Sequence, residues 1–258
     1  SLDGVTVTGG SFSNLHIGID FEKDPNVAGN DVINFTLDGT HFEDITAKGF
    51  YAETLTNGHL TNFTMDNVGY FGGTPSFGGF AGSGIELNLK KGAYSGIEID
   101  HFTMTDVGQS TRFGASHDNA AAISIKPRDD SGSYTPVSIT DVIKIHDGVI
   151  DGTSTGIRNG ETGKNHATGT MEIENDTITG ALHDAQNGDI ESRTQANTHV
   201  IGSDGADSWV VNPQSIGTIS FDLGDGNDAQ FVKNGNCANT PVEVAETRYP
   251  FLNMEYQL

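Results

Sequence analysis

The sequence predicts an all-β chain whose short strands stack coil upon coil, a solenoid rather than a layered globule. Three observations carry this. A strand-and-turn phrase recurs, apolar and polar residues alternate with period two, and no segment keeps helical apolar spacing over three turns. The phrase is Asn34-Phe35-Thr36-Leu37-Asp38-Gly39, which returns as Asn62-Phe63-Thr64-Met65-Asp66-Asn67 and as His101-Phe102-Thr103-Met104-Thr105-Asp106. Each copy ends on Asp, Asn or Gly, residues that favour turns. One strand with its turn cannot bury an apolar face alone, so such units stack on one another. A β-sandwich also uses many short strands, but it rarely reuses one phrase.

Further strands are expected on both sides. Val5-Thr6-Val7-Thr8-Gly9-Gly10 precedes the first phrase, and Ile85–Leu89 and Ile123–Lys126 alternate in the same way. Ile143–Gly152 reads as two strands around a corner, and Met171–Gly180 repeats that shape. Three stretches read as loops: the Gly- and aromatic-rich Gly69–Phe80, the segment Thr111–Asn119, and Lys126–Pro136 with its dense turn signals. The domain reading is 1–200 for the coils, 201–232 for last coils with Gly-Asp turns, and 233–258 for a tail or cap. That tail carries Tyr249, Phe251, Leu252, Met254 and Tyr256.

Composition narrows the function. The 258 residues hold 35 carboxylates against 13 Lys and Arg, a net charge of −22. Such a chain is a poor partner for nucleic acid phosphates or an anionic membrane surface. Divalent cations, which bind carboxylates and turn carbonyls, are a better match. The 34 glycines suit many corners, and the 14 Phe are patterned rather than scattered, which argues against disorder. Cys237 is the only cysteine, so no intrachain disulfide forms. No stretch reads as a signal peptide or a membrane span.

The strand-and-turn phrases over Val5–Gly180 resemble right-handed parallel β-helix proteins of the pectate-lyase-like superfamily, a single-stranded solenoid with loop insertions. Within them, Ala121–Ile125, Arg128–Tyr134 and Gly156–Gly160 are similar to late coils of secreted mannuronan C5-epimerases. The family's Tyr-Gly-Phe-Asp-Pro-His signature is absent, so no catalytic residue carries over. A second resemblance is to hemolysin-type (RTX) calcium-binding nonapeptides, Gly-Gly-x-Gly-x-Asp-x-hydrophobic-x. Gly202–Val210 matches with Ser203 in place of the second Gly, and Leu223–Phe231 matches less closely. The resemblance places Asp207 and Asp228 at the Ca2+ ligand position, with Asp204 and Asp225 as flanking oxygens. These motifs lie 21 residues apart, not the eighteen of two family repeats, and Asn212-Pro213 interrupts them. Ordinary Asp-Gly turns remain the other reading of both segments.

Elimination or epimerisation of a uronic acid needs a cation on the carboxylate, a base for the C5 proton and an acid for the leaving oxygen. The densest mixed-charge stretch supplies candidates: His117 as base, Lys126 or Arg128 as clamp, and Tyr134 as proton donor. Tyr70, Phe71 and Phe77 offer rings for stacking on sugars, and Arg112 a further cation. Loop ion pairs and turn caps are the other reading of the charged residues. The expectation is a secreted, calcium-binding protein, bacterial in origin, that binds or modifies an extracellular acidic polysaccharide. The alternative is a non-catalytic structural or adhesin segment of a larger surface protein.

Overall fold

A computed structural model describes residues 1–24, 29–70, 82–109, 120–161, 170–181, 188–193, 197–201, 208–211, 218–222, 229–232 and 242–244. Among them there is no α-helix, only strands and one 3-10 turn at Asp130–Gly132.

Three main sheets hold nearly all strands. Sheet A has ten strands. In it β1 (Leu2–Asp3) and β2 (Thr6–Thr8) both pair with β5 (Val32–Asp38). Then follow β8 (Thr56–Thr61), β12 (Ile97–Asp100), β16 (Val142–His146), β19 (Thr170–Glu174), β22 (Asn197–Ile201), β24 (Thr218–Asp222) and β26 (Val242–Val244). Sheet B runs β3 (Ser11–Ser13), β6 (His41–Ile45), β9 (Thr64–Val68), β13 (Thr103–Thr105), β17 (Val149–Thr153) and β20 (Thr177–Ala181). Sheet C runs β4 (Ile17–Phe21), β7 (Lys48–Ala52), β10 (Ser83–Leu87), β14 (Ala121–Ile125), β18 (Ile157–Asn159), β21 (Ile190–Ser192), β23 (Ser208–Val211) and β25 (Ala229–Val232). A small pair, β11 (Gly92–Tyr94) and β15 (Val137–Ile139), lies apart.

Every pairing is parallel. The chain visits A, B and C in turn six times, from β2-β3-β4 to β19-β20-β21, so each strand pairs with its counterpart one circuit later. This all-β arrangement of stacked parallel sheets is consistent with a parallel β-helix. From β22 onward the described strands alternate between A and C alone.

Parallel register sets like residue above like, and this builds the core. In sheet A the inward column is Val7, Leu37, Leu60, Ile99, Ile145, Ile173, Val200 and Phe221. Sheet B contributes Phe12, Phe42, Met65, Met104, Ile150 and Ile178. Sheet C contributes Ile19, Phe50, Ile85, Ile123, Ile157 and Ile190. All three columns join one hydrophobic cluster. Phe12 stacks on Phe42 at 5.3 Å and Phe63 on Phe102 at 5.5 Å, extending the ladder into the corners.

The corner from A to B is a single left-handed residue in each circuit from β5 onward: Gly39, Asn62, His101, Asp147 and Asn175, with φ of 69°, 53°, 49°, 56° and 52°. Asn, Asp and His tolerate this region better than other side chains, which is why the recurrent phrase has those letters there. The register also corrects the phrase itself. Asn62–Asn67 and His101–Asp106 are true counterparts, since Thr64 and Met65 pair with Thr103 and Met104. Asn34–Asp38 instead lies on β5 of sheet A, and the stretch of the preceding circuit aligned with Asn62–Asn67 is Gly39–Asp44, where Phe42 pairs with Met65. Both sheets ask for the same alternation, so a strand of one imitates a strand of the other.

Two insertions leave the B-to-C corner of successive circuits. A Cβ on Gly82 would stand 1.9 Å from the Gly69 carbonyl oxygen, and one on Gly108 would stand 2.4 Å from that of Ala121. Each insertion therefore departs and returns through a backbone neck at the upstream edge of sheet C.

Candidate functional site

The outward column of sheet C, between its inward isoleucines, is polar. Register stacks Asp20, Tyr51, Glu86, Ser124, Arg158 and Glu191 on successive strands. An outward strand face is ordinarily wet, yet Glu86, Ser124, Arg158 and Glu191 are all buried. Buried charges must be paired, and here they are. Lys48 bonds Glu86 Oε2, and Lys126 Nζ lies 2.8 Å from Glu86 Oε1 and 3.1 Å from Glu161 Oε2.

This packing tunes the groups in opposite directions. Burial would raise the Glu86 carboxyl, but Lys126 and Lys48 outweigh it and pull it down to about 2. Burial lowers the Lys48 ammonium, with Glu86 opposing and Lys126 adding to the fall. Burial acts on Lys126 as well, but Glu86 and Glu161 together raise it.

The network continues to the downstream edge of the sheet. Tyr51 Oη donates to Glu53 Oε1 at 2.6 Å and accepts from Asn88 Nδ2 at 2.7 Å. Burial, then the Glu53 carboxylate, pushes the Tyr51 phenol far up, so it stays a hydrogen-bond donor. Lys90 pairs with Glu53 and sits 4.6 Å from the Tyr134 ring centre. Arg128 flanks the same ring at 5.6 Å, grips Asp130 through Nε at 2.9 Å and Nη2, and reaches Asn88 Oδ1 at 3.3 Å. Local backbone explains the placement. Lys126 N–H and Arg128 N–H donate to the Leu87 and Leu89 carbonyls, extending the β10–β14 ladder past its strands. The turn Asp130–Gly132 then folds the chain back, and Lys91 N–H closes on the Tyr134 carbonyl at 2.9 Å.

Three residues singled out in the sequence thus belong to one neighbourhood. Arg128 and Tyr134 touch, and Lys126 and Arg128 both feel Glu161. Tyr70 is half-buried beside the first neck. His117, Arg112, Phe71 and Phe77 lie outside the described residues, as do Asp204, Asp207, Asp225 and Asp228. No family model matches the chain, and no match is found among curated proteins or solved structures.

Sequence reasoning missed Lys48, Tyr51, Glu53, Glu86, Asn88, Lys90 and Glu161. They are single polar letters on or just beyond β7, β10 and β18, and only the register of sheet C unites them. Chemically, the site is a closed electrostatic circuit. Lys48, Lys90, Lys126 and Arg128 face Glu53, Glu86, Glu161 and Asp130. It offers phenol and amide groups for hydrogen bonding, with the Tyr134 ring lying under Lys90 and Arg128. Its cations could hold a uronate only by exchanging one of these carboxylates for it.

Proposed function

We propose that the chain is a right-handed, single-stranded parallel β-helix that binds an extracellular acidic polysaccharide along the outer face of sheet C. Right-handed crossover between parallel strands is the near-universal rule, which supports the handedness. The convergence of the partly exposed Tyr51, Lys90, Arg128 and Tyr134 on one face, backed by the buried Lys48 and Lys126, is the observation that carries the reading. A stack of parallel strands offers a long shallow surface suited to a linear glycan, and amide, phenol and cationic groups suit its hydroxyls and carboxylates.

Lyase or epimerase chemistry is the reaction class this constellation would serve. The clamp would be Lys126 or Arg128, and Tyr134 would protonate the leaving C4 oxygen as the C5 proton moves to a base. His117 is the base proposed from sequence. A second reading, a binding or adhesin module without catalysis, is favoured by the one-for-one matching of cations and carboxylates. Incubation with alginate, polymannuronate and polygalacturonate separates them. Lyase activity gives absorbance near 235 nm from the new C4=C5 bond, and epimerisation changes the anomeric proton NMR spectrum without cleavage. Activity retained in both His117→Ala and Arg128→Ala sinks the catalytic roles. Silence in both assays with glycan retained supports the module, and absence of glycan binding ends the proposal.

Calcium enters the same reading. β22 and β24 pair Val200 with Phe221, and β23 and β25 pair Ser208 with Ala229, each 21 residues on. The two Gly-Asp segments therefore join equivalent strands of adjacent circuits, and their unexpected spacing equals the local circuit length. We propose that Asp204, Asp207, Asp225 and Asp228 hold Ca2+ there, as the resemblance implies, and that the protein is secreted.

A further inference from the structure

The outer face of sheet A carries a separate cluster that the glycan reading does not use. His59 on β8 and Glu98 on β12 are register partners, and Asp100 lies two residues along β12 on the same face. One ligand atom of each lies within 4.8 Å of the others, and His59 Nε2 is 2.6 Å from Asp100 Oδ2. Donor atoms around a tetrahedral ion with bonds of about 2.0–2.1 Å stand about 3.3 Å apart, within reach of small side-chain rotations.

Outer partners fix these donors. Asp100 Oδ1 accepts from Thr61 Oγ1 and from His101 Nδ1 at 2.8 Å, which leaves Oδ2 turned to His59. Glu98 Oε1 is held by His146 Nε2 at 2.9 Å. His146 Nδ1 is anchored in turn on Asp147 Oδ2 at 2.8 Å, and Asn175 donates to Asp147 Oδ1 at 2.5 Å. Metal-ligating carboxylates and imidazoles are commonly oriented by such a second layer. His101 sits at the A-to-B corner with φ 49°, like its counterparts in the other circuits, and from there its ring reaches Asp100.

Charge and access point the same way. Two carboxylates meet an imidazole there, and Lys144, the register partner of Glu98, is 3.9 Å from Glu172. His59 and Glu98 side chains are 44% and 43% exposed, whereas Asp100 is 6% exposed. The cluster is anchored on one side and open to solution on the other. Imidazole with carboxylates suits a first-row divalent transition ion better than Ca2+ or Mg2+, which prefer all-oxygen shells.

We propose that His59, Glu98 and Asp100 form a binding site for a divalent transition-metal ion of the Zn2+ class, with at least one coordination position open to solvent. The site is independent of the glycan face and of the Gly-Asp segments.

Calorimetric titration of the full chain with Zn2+, in excess Ca2+ to occupy oxygen-only sites, tests this. The wild type is expected to bind Zn2+, and His59→Ala and Glu98→Gln to lose one equivalent or bind it at least about tenfold more weakly. Both replaced side chains are half-exposed, and circular dichroism of the metal-free variants reports whether the fold is kept. His146→Gln is expected to weaken the site without removing it. Co2+ substitution supplies a second readout, with visible ligand-field bands present in the wild type and lost in His59→Ala. Zn2+ stoichiometry and affinity unchanged in Glu98→Gln and His59→Ala, or no Zn2+ binding by the wild type, would overturn the site.

Discussion

Asp176 and Glu86 are both buried carboxylates, and their surroundings drive them apart. Asp176 Oδ1 accepts only the Gly148 N–H at 2.6 Å, and Oδ2 has no partner among the described residues. Burial lifts its pKa from 3.8 to about 8, so it carries a proton at neutral pH. The folded pKa lies above the unfolded one. Its contribution to stability is therefore complete below about pH 4 and drains away as pH rises to about 8, by at most about 1.4 kcal/mol per pH unit. Asp176→Asn, which mimics the protonated acid, should match the wild type near pH 4 and exceed it increasingly up to pH 8. Urea unfolding at several pH values reads this directly, and parallel pH curves would refute it. Glu86 is the opposite case, a carboxylate held ionised between two ammoniums. Glu86→Gln leaves Lys48 and Lys126 facing each other with one carboxylate lost, and should cost about 3–5 kcal/mol by the same measurement. Adding Lys48→Met should recover part of that loss.

At the scale of elements, paired strands were the most legible feature. Ile143–Gly152 and Met171–Gly180 read as strand, corner, strand, and the structure sets them in register, with Ile145 on Ile173 and Ile150 on Ile178. Alternation sees a strand but not the sheet that receives it, so Asn34–Gly39 was matched to the wrong counterpart. The same limit explains the site. Lys126, Arg128 and Tyr134 were visible because they share one loop, whereas Lys48, Glu53 and Glu86 enter from other circuits. Small residues were also silent in sequence. Gly49 and Gly84 lie where sheet B side chains press on sheet C, and a Cβ on Gly84 would stand 2.5 Å from Val107 Cγ1. Gly84→Ala should destabilise by about 1–3 kcal/mol through overpacking. A thermal melt indistinguishable from wild type would show that the corner has slack.

For the whole molecule, a net charge of −22 sets the terms of glycan binding. The long-range field repels a polyanion, so affinity must come from local groups on sheet C and from cations shared with the glycan. Moderate salt should therefore strengthen, not weaken, binding to a polyuronate, and Ca2+ should strengthen it further. The same ion should raise the melting temperature, and Asp207→Asn with Asp228→Asn should abolish that rise. A melt insensitive to Ca2+ would remove calcium from the account and leave the sheets untouched. The site itself is tested most directly by an amide chemical-shift map of the chain titrated with an oligouronate. Shifts clustered on Tyr51, Asn88, Lys90, Arg128 and Tyr134 are the predicted result. Shifts confined to sheets A and B, or none at saturating ligand, would contradict the claim that sheet C is the glycan-facing surface.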